Sequence, residues 1–221
     1  MSTFQTDFDR IALVSPDGAT QNDHYQDFLL RHLPPHCHEV LEIGCGTGAF
    51  ARRLAQHSEK VLALDLSPEM IRVARERSTR FSNIEFQVAD ICARDLPAES
   101  FDCIATSATL HHLPLREILL QMKAALKPGG VLLVLDLFEP EGLSDWLSNI
   151  VAIPMSVTLR LIHQHRLRPS RAVRAAWAAH EQHDLYPTMR TVRKLCLEIM
   201  PGAKVRKHLL WRYSIVWQKA I

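Results

Sequence analysis

Nothing in this 221-residue chain offers a covalent or metal staple. Its five cysteines, Cys37, Cys45, Cys92, Cys103 and Cys196, are odd in number and contain no C-x-x-C pair. That pattern argues against a zinc ribbon or a disulfide framework and fits a reducing compartment, so a metal-free cytoplasmic protein is expected. Long apolar runs are missing too. None approaches the roughly 18 residues of a membrane span, and Met-Ser-Thr-Phe-Gln-Thr-Asp has neither part of a secretory leader. Aromatics are scarce at 7%, and there are only 8 glycines and 12 prolines, which excludes collagenous and low-complexity classes. What remains is 47% hydrophobic and 23% charged, the balance of a globular protein. At roughly 150 residues per domain, the length allows one large domain or a domain with an insertion.

Charge is unevenly placed. Residues 1–140 carry 13 Lys and Arg against 19 Asp and Glu, whereas residues 141–221 carry 13 against 5. A basic C-terminal third suits an acidic substrate, a phospholipid surface or nucleic acid; a solvated face around an acidic pocket is the plainer reading.

From residue 39 the chain alternates. Val40-Leu41-Glu42-Ile43 and Val61-Leu62-Ala63-Leu64 are short apolar runs of the kind that form buried strands, and residues 49–57 between them have helical periodicity. Ser67 before Pro68 predicts a capped helix running to about Thr79. Residues 84–88, 101–106 and 131–137 continue the strand series, with a helix over 115–126 and a turn at Lys127-Pro128-Gly129-Gly130. Strands separated by helices of this length predict βαβ units and a parallel sheet covered on both faces. Two tightly joined runs, 205–210 and 213–218, predict an antiparallel hairpin attached to it. Before the alternation lies a helical cap, residues 1–38, with its helix over 23–33. The organisation expected is this cap, a core over 39–140, a helical lid over 141–202 and the hairpin over 203–221.

Glu42-Ile43-Gly44-Cys45-Gly46-Thr47-Gly48 is the strongest local signal. Glycines directly after a strand let the backbone turn sharply and let a ligand approach it. Gly44-x-Gly46-x-x-Ala49 also fits the dinucleotide fingerprint, so an NAD-dependent oxidoreductase is a competing reading. Asp65 ends the second strand, where a carboxylate can accept hydrogen bonds from ribose hydroxyls.

Further along stand Ala89-Asp90-Ile91, Ser100-Phe101-Asp102, Leu110-His111-His112-Leu113 and Lys127-Pro128-Gly129-Gly130. With the glycine loop and Leu64-Asp65-Leu66-Ser67, this ordered set resembles the class I S-adenosylmethionine-dependent methyltransferases. The type it is most similar to is the small enzymes of ubiquinone and menaquinone biosynthesis. The resemblance implies a Rossmann-like α/β fold with seven strands in the order 3-2-1-4-5-7-6, strand 7 antiparallel, and a helical insertion after strand 5. It implies S-adenosylmethionine as cofactor, with Gly44, Cys45 and Gly46 along its methionine part. Asp65 then binds the ribose, Leu66 packs on the adenine, and Asp90 accepts from the adenine amino group beside the Ile91 N–H. Ser107 falls near the sulfonium, Glu42 behind the glycine loop, and Tyr25 in a segment folded over the cofactor.

Methyl transfer needs a nucleophile held in line and, for many acceptors, a group that removes a proton near neutrality. Histidine suits that task, so His112, His111 and His183 are the catalytic candidates. A structural role is open for each. His183 belongs to a polar cluster, His180-Glu181-Gln182-His183-Asp184-Leu185-Tyr186. The segment 146–174, apolar and then arginine-rich, is a lid, a pocket for a hydrophobic or aromatic acceptor, or a membrane-resting face. Without interleaved stacking aromatics or a recognition motif, nucleic acid is not expected as a partner. The expected partner is a small-molecule methyl acceptor; a non-catalytic cofactor-binding module is the other alternative.

Overall fold

Short runs of valine, leucine and isoleucine bounded by glycines and polar turns form the strands, and the amphipathic stretches between them form the helices. The computed structural model describes residues 3–14, 23–142, 171–180 and 185–221. Two helices come first, α1 (Thr3–Val14) and α2 (Asp23–Leu30). The alternating core follows: β1 (Glu39–Ile43), α3 (Ala49–Leu54), β2 (Lys60–Asp65), α4 (Pro68–Arg77), β3 (Ile84–Val88) and β4 (Phe101–Ser107). A single 3-10 turn (Leu110–His112), α5 (Leu115–Ala125) and β5 (Leu126–Leu137) complete it. The described remainder is α6 (Arg171–His180), α7 (Met189–Ile199), β6 (Lys204–Lys207) and β7 (Arg212–Gln218).

The seven strands lie in the order β3-β2-β1-β4-β5-β7-β6. Neighbours from β3 to β5 pair parallel, and β7 pairs antiparallel with both β5 and β6. This is the Rossmann-like sheet expected from the sequence.

Successive strand residues point to opposite faces, so each strand serves two cores. Leu41 and Ile43 of β1, Ile104 of β4 and Leu132 and Val134 of β5 pack under α5 and α7 through Ile118, Leu119, Met122, Val192 and Ile199. Val40, Cys103, Ala105, Leu133 and Leu135 face the other way, onto Leu29, Phe50, Leu54 and Ile71 of α2, α3 and α4. Each fully buried leucine or isoleucine here contributes about 1.5–3 kcal/mol, which explains why the central strands contain few polar residues. Ser67 caps α4 as expected: its Oγ accepts the Met70 N–H at 3.0 Å, with Pro68 at the first helical position.

Two differences from the sequence expectation have physical causes. Helix α1 falls in a segment with no recognised periodicity, and it is held by tertiary contacts: Asp9 Oδ1 accepts from Ser67 Oγ at 2.5 Å. Lys127-Pro128-Gly129-Gly130 is not a turn before β5 but a bulge inside its pairing. Phe101 pairs with Leu126, and pairing resumes only at Cys103 with Val131. A Cβ on Gly130 would stand 2.9 Å from the Lys127 carbonyl oxygen, so only glycine closes that bulge. Lys127 Nζ then donates to both Asp102 oxygens, at 2.9 and 3.0 Å, while the N–H groups of Glu39 and His38 donate to Oδ2. Burial alone would raise the Asp102 carboxyl, but these donors and the ammonium hold it below the usual range. The clasp joins the starts of β1, β4 and β5, at the edge opposite the site described next.

Candidate active site

At the carboxyl ends of β1 to β4 the chain leaves a cavity of about 420 Å³. Open α/β sheets bind ligands at this edge, and the volume lies in the ordinary range for cofactor sites. The glycine loop after β1 forms its floor. The Gly44 and Cys45 N–H groups both donate to the Leu64 carbonyl, at 2.8 and 2.9 Å, so the loop is pinned to the end of β2. Gly44 has φ +73°, and a Cβ there would lie 2.1 Å from Thr109 Oγ1. The loop and the turn after β4 touch at that point, where no side chain fits.

Asp65 closes the loop from the side. Its Oδ2 accepts the Gly46 N–H at 2.8 Å and its Oδ1 the Ser67 N–H at 2.9 Å. The Leu66 N–H also acts on this carboxylate; a carboxylate has about four acceptor sites, so acceptor capacity is left for a ligand. Burial raises its pKa, and the backbone donors from Ser67 and Gly46 recover part of the shift. Glu42, at the end of β1, is 1% exposed, and its Oε2 accepts no hydrogen bond from the described residues. Burial first, and the nearby Asp65 charge second, push its carboxyl up to about 8. The loop N–H groups go to Leu64 and Asp65, so it is Asp65 that holds the glycine loop, not Glu42. Cys45 also lines the cavity; burial and then Glu42 push its thiol well above the usual value, which keeps it from being a reactive thiolate.

Asp90, Ile91 and Leu66 line the next part of the wall. The Asp90 Oδ1 accepts the Cys92 N–H at 2.9 Å, which shapes the turn after β3, and the Ala89 N–H bonds the Asp65 carbonyl at 2.9 Å. Ser107 lines the far side, and its buried Oγ has no partner among the described residues. Behind it Ala108 takes φ +54°, an uncommon conformation for a residue with a Cβ, and it turns the chain sharply at the end of β4.

The structure separates the two histidines. The His112 ring lines the cavity, edge-on to Phe8 with centroids 5.4 Å apart. His111 is not among the lining residues. Its Nδ1 lies 2.6 Å from Asp136 Oδ1 and its backbone N–H donates to Oδ2 at 2.8 Å. Its ring packs against those of His112 and Tyr186 in tilted contacts, at centroid distances of 3.8 and 4.9 Å. Tyr25 also stands apart from the cavity: its hydroxyl donates to the Leu209 carbonyl at 3.0 Å and its ring packs on His208. Its neighbour Gln26 takes the place in the wall. His183 and residues 146–170 of the apolar, arginine-rich segment lie outside the described residues.

Phe8 and Ile11 of α1, Gln26 of α2, Thr109 and Trp177 of α6 complete the wall. Sequence reasoning missed Phe8, Ile11, Gln26, Thr109 and the supporting Asp136. Only Asp136 left a signal, a lone carboxylate closing the apolar run Val131-Leu132-Leu133-Val134-Leu135. Among the described residues the lining holds three carboxyl side chains, Glu42, Asp65 and Asp90, and neither lysine nor arginine. That acceptor set suits a ligand bearing positive charge and hydroxyl groups. It is hostile to the diphosphate of a dinucleotide.

Comparison with known proteins agrees. Residues 40–130 match a methyltransferase domain family. An uncharacterised methyltransferase of Mycobacterium tuberculosis (strain ATCC 25618 / H37Rv) is 30% identical over 210 residues, spanning 90% of this chain and 96% of that protein. A demethylmenaquinone methyltransferase of Tropheryma whipplei (strain Twist) is 37% identical over 105 residues, 46% of this chain and 43% of its own. Among solved structures, an N-methyltransferase, NodS, from Bradyrhizobium japonicum WM9 in complex with S-adenosyl-L-homocysteine aligns over 99% of both chains. Its TM-score is 0.66 at 18% identity, which is a likeness of fold. Sheet order, cavity chemistry and near-full-length kinship together make this chain a member of the S-adenosylmethionine-dependent methyltransferase family.

Proposed function

We propose that this methyltransferase acts on a small-molecule acceptor at oxygen, nitrogen or carbon, and that the cavity at the β1–β4 edge is its cofactor site. The observation that carries the reading is the set of three carboxyl groups, Glu42, Asp65 and Asp90, at or just beyond the ends of β1, β2 and β3, with no lysine or arginine among the described lining residues. Asp65 would take the ribose hydroxyls on its remaining acceptor capacity. Leu66 and Ile91 would flank the adenine, Asp90 would accept from its amino group, and the Ile91 N–H would donate to the ring. The Gly44–Gly46 backbone and Cys45 would run along the methionine part, leaving Ser107 and His112 towards the reacting end.

When bound, S-adenosylmethionine supplies an electrophilic methyl group. What the protein then adds is position, exclusion of water and removal of the acceptor's proton. His112 is the residue we assign to that proton, because its ring faces the cavity. His111 stands behind it, packed against its ring and tied to Asp136, and serves as support rather than as the base. Phe8 against His112, with Leu113 and Trp177 in the same lining, favours an acceptor with a hydrophobic or aromatic body. The demethylmenaquinone methyltransferase relative, matched over 43% of its own length, supports that class. All five cysteines are free, which supports a reducing, cytoplasmic setting. Among the described residues no helix is long and apolar enough to cross a membrane.

Calorimetric titration with S-adenosylmethionine, S-adenosylhomocysteine and NAD tests the site. The first two bind and NAD does not. Asp90→Ala weakens binding about tenfold, the size of one hydrogen bond. Binding of NAD, or unaltered affinity in Asp90→Ala, contradicts the assignment.

A further inference from the structure

Glu42 is chemically incomplete as the structure presents it. Its side chain is 1% exposed, lines the cavity, and keeps a buried Oε2 that accepts no hydrogen bond from the described residues. An unsatisfied buried oxygen costs about 1–3 kcal/mol, and more if it is charged, a cost that a partner entering the cavity would relieve.

Two charged side chains act on it directly, Asp65 and Arg52, and further titratable groups stand around them. From β2, Asp65 adds a second carboxyl, and Asp9 of α1 in turn acts on Asp65. The Cys45 thiol lies in the glycine loop, and Asp90 and His112 line more distant parts of the same cavity. The cation among these neighbours is Arg52 of α3, whose Nη1 donates to the Thr47 carbonyl and to Ser78 Oγ, at 3.0 and 3.3 Å. Burial and Asp65 outweigh it, so near neutral pH the carboxyl keeps its proton in the absence of ligand. A ligand that brings a positive charge into this poorly solvated space reverses the balance, because attraction between charges is strong where water is excluded.

We propose that Glu42 couples cofactor binding to proton release: a cationic group of S-adenosylmethionine takes over from the carboxyl proton, which leaves to solvent. The inference rests on the cofactor-site reading above. The balance is simple: Glu42 goes from acid to carboxylate, one proton enters the buffer, and no covalent bond to carbon changes. Two cations of the ligand offer the same chemistry, the α-ammonium and the sulfonium. S-adenosylhomocysteine carries only the first, so the pair of ligands tells the sources apart.

The test is calorimetry at pH 7 in phosphate and in imidazole, buffers whose ionisation heats differ, on wild type and Glu42→Gln. Wild type releases close to one proton per S-adenosylmethionine bound, and its affinity rises about tenfold from pH 6 to pH 7. Glu42→Gln releases none, and its affinity is flat over that range. Release with both ligands assigns the ammonium, and release with S-adenosylmethionine alone assigns the sulfonium. Should Glu42→Gln not fold, infrared difference spectra of wild type give the same answer: the protonated-carboxyl C=O band disappears on adding cofactor. Binding without proton release, persistence of that band, or release by Glu42→Gln overturns the proposal. No binding at all by wild type overturns the cofactor-site reading instead.

Discussion

His111 Nδ1 sits 2.6 Å from Asp136 Oδ1, and the same carboxylate also accepts the His111 backbone N–H at 2.8 Å. One buried acid therefore fixes both the turn after β4 and the ring that His112 packs against. Because a carboxylate only accepts, the shared proton is placed on Nδ1, which sets the tautomer of His111. The ring beside it, not the ring that is tied down, is the one that reaches the cavity.

Replacing Asp136 with asparagine keeps the shape but halves the acceptor capacity and removes the charge. Three N–H groups point at this carboxylate, from His111 twice and from Leu137. Stability falls by about 2–4 kcal/mol, the cost of breaking a buried charge-assisted network. Urea unfolding at pH 7 measures it. Affinity for S-adenosylhomocysteine, titrated on the folded variant, stays within about twofold.

Gly44→Ala abolishes cofactor binding. Its Cβ would overlap Thr109 Oγ1 and Cγ2, at 2.1 and 2.4 Å, and its φ of +73° is strained for any residue with a side chain. Adding Thr109→Gly removes the overlap but leaves the backbone strain of about 1–2 kcal/mol. The double variant thus regains affinity only in part, and stays roughly five- to thirtyfold below wild type. Full recovery would show that contact, not backbone conformation, selects glycine here.

Glu42 also sets a pH dependence of stability. Its carboxyl moves from 4.5 to about 8 on folding. A raised acid binds its proton more tightly in the folded state, so its contribution is fully present below the unfolded value and is lost as pH rises from 4.5 to 8. The loss amounts to about 5 kcal/mol as an upper bound. Thermal unfolding of the ligand-free protein checks this: Glu42→Gln gains stability over wild type at pH 9 and little at pH 5.

The Asp102–Lys127 clasp behaves oppositely. Its depressed carboxyl stabilises the fold above its unfolded pKa, and the stabilisation disappears as pH falls through the folded value. Asp102→Ala costs about 1–2 kcal/mol at pH 7, since the ion pair is partly exposed. Cofactor affinity does not change, because the clasp is at the other edge of the sheet. Parallel unfolding and calorimetric titrations separate the two effects.

The sheet was legible in the sequence because its strands bury both faces, and Val40-Leu41 or Ile104-Ala105 tolerate nothing polar. The cavity floor was legible because turning sharply after β1 needs glycine, and a strand end such as Asp65 has a fixed place in this sheet. The walls were not. Phe8, Ile11 and Gln26 belong to helices α1 and α2 whose position depends on tertiary contacts such as Asp9 with Ser67, and local periodicity carries no trace of those. The pairing of adjacent histidines was misleading for a related reason. Neighbours in a 3-10 turn point in different directions, so of His111 and His112 only His112 lines the cavity. Ser100-Phe101-Asp102 and Lys127-Pro128-Gly129-Gly130 read as parts of a family pattern, and in space they form a structural clasp outside the cavity lining.

A crystal structure with S-adenosylhomocysteine tests the central claim most directly. The account predicts both ribose hydroxyls within hydrogen-bonding distance of Asp65, the adenine amino group at Asp90, and the sulfur on the side of Ser107 and His112. A ligand seated elsewhere, or a ribose turned away from Asp65, would contradict it.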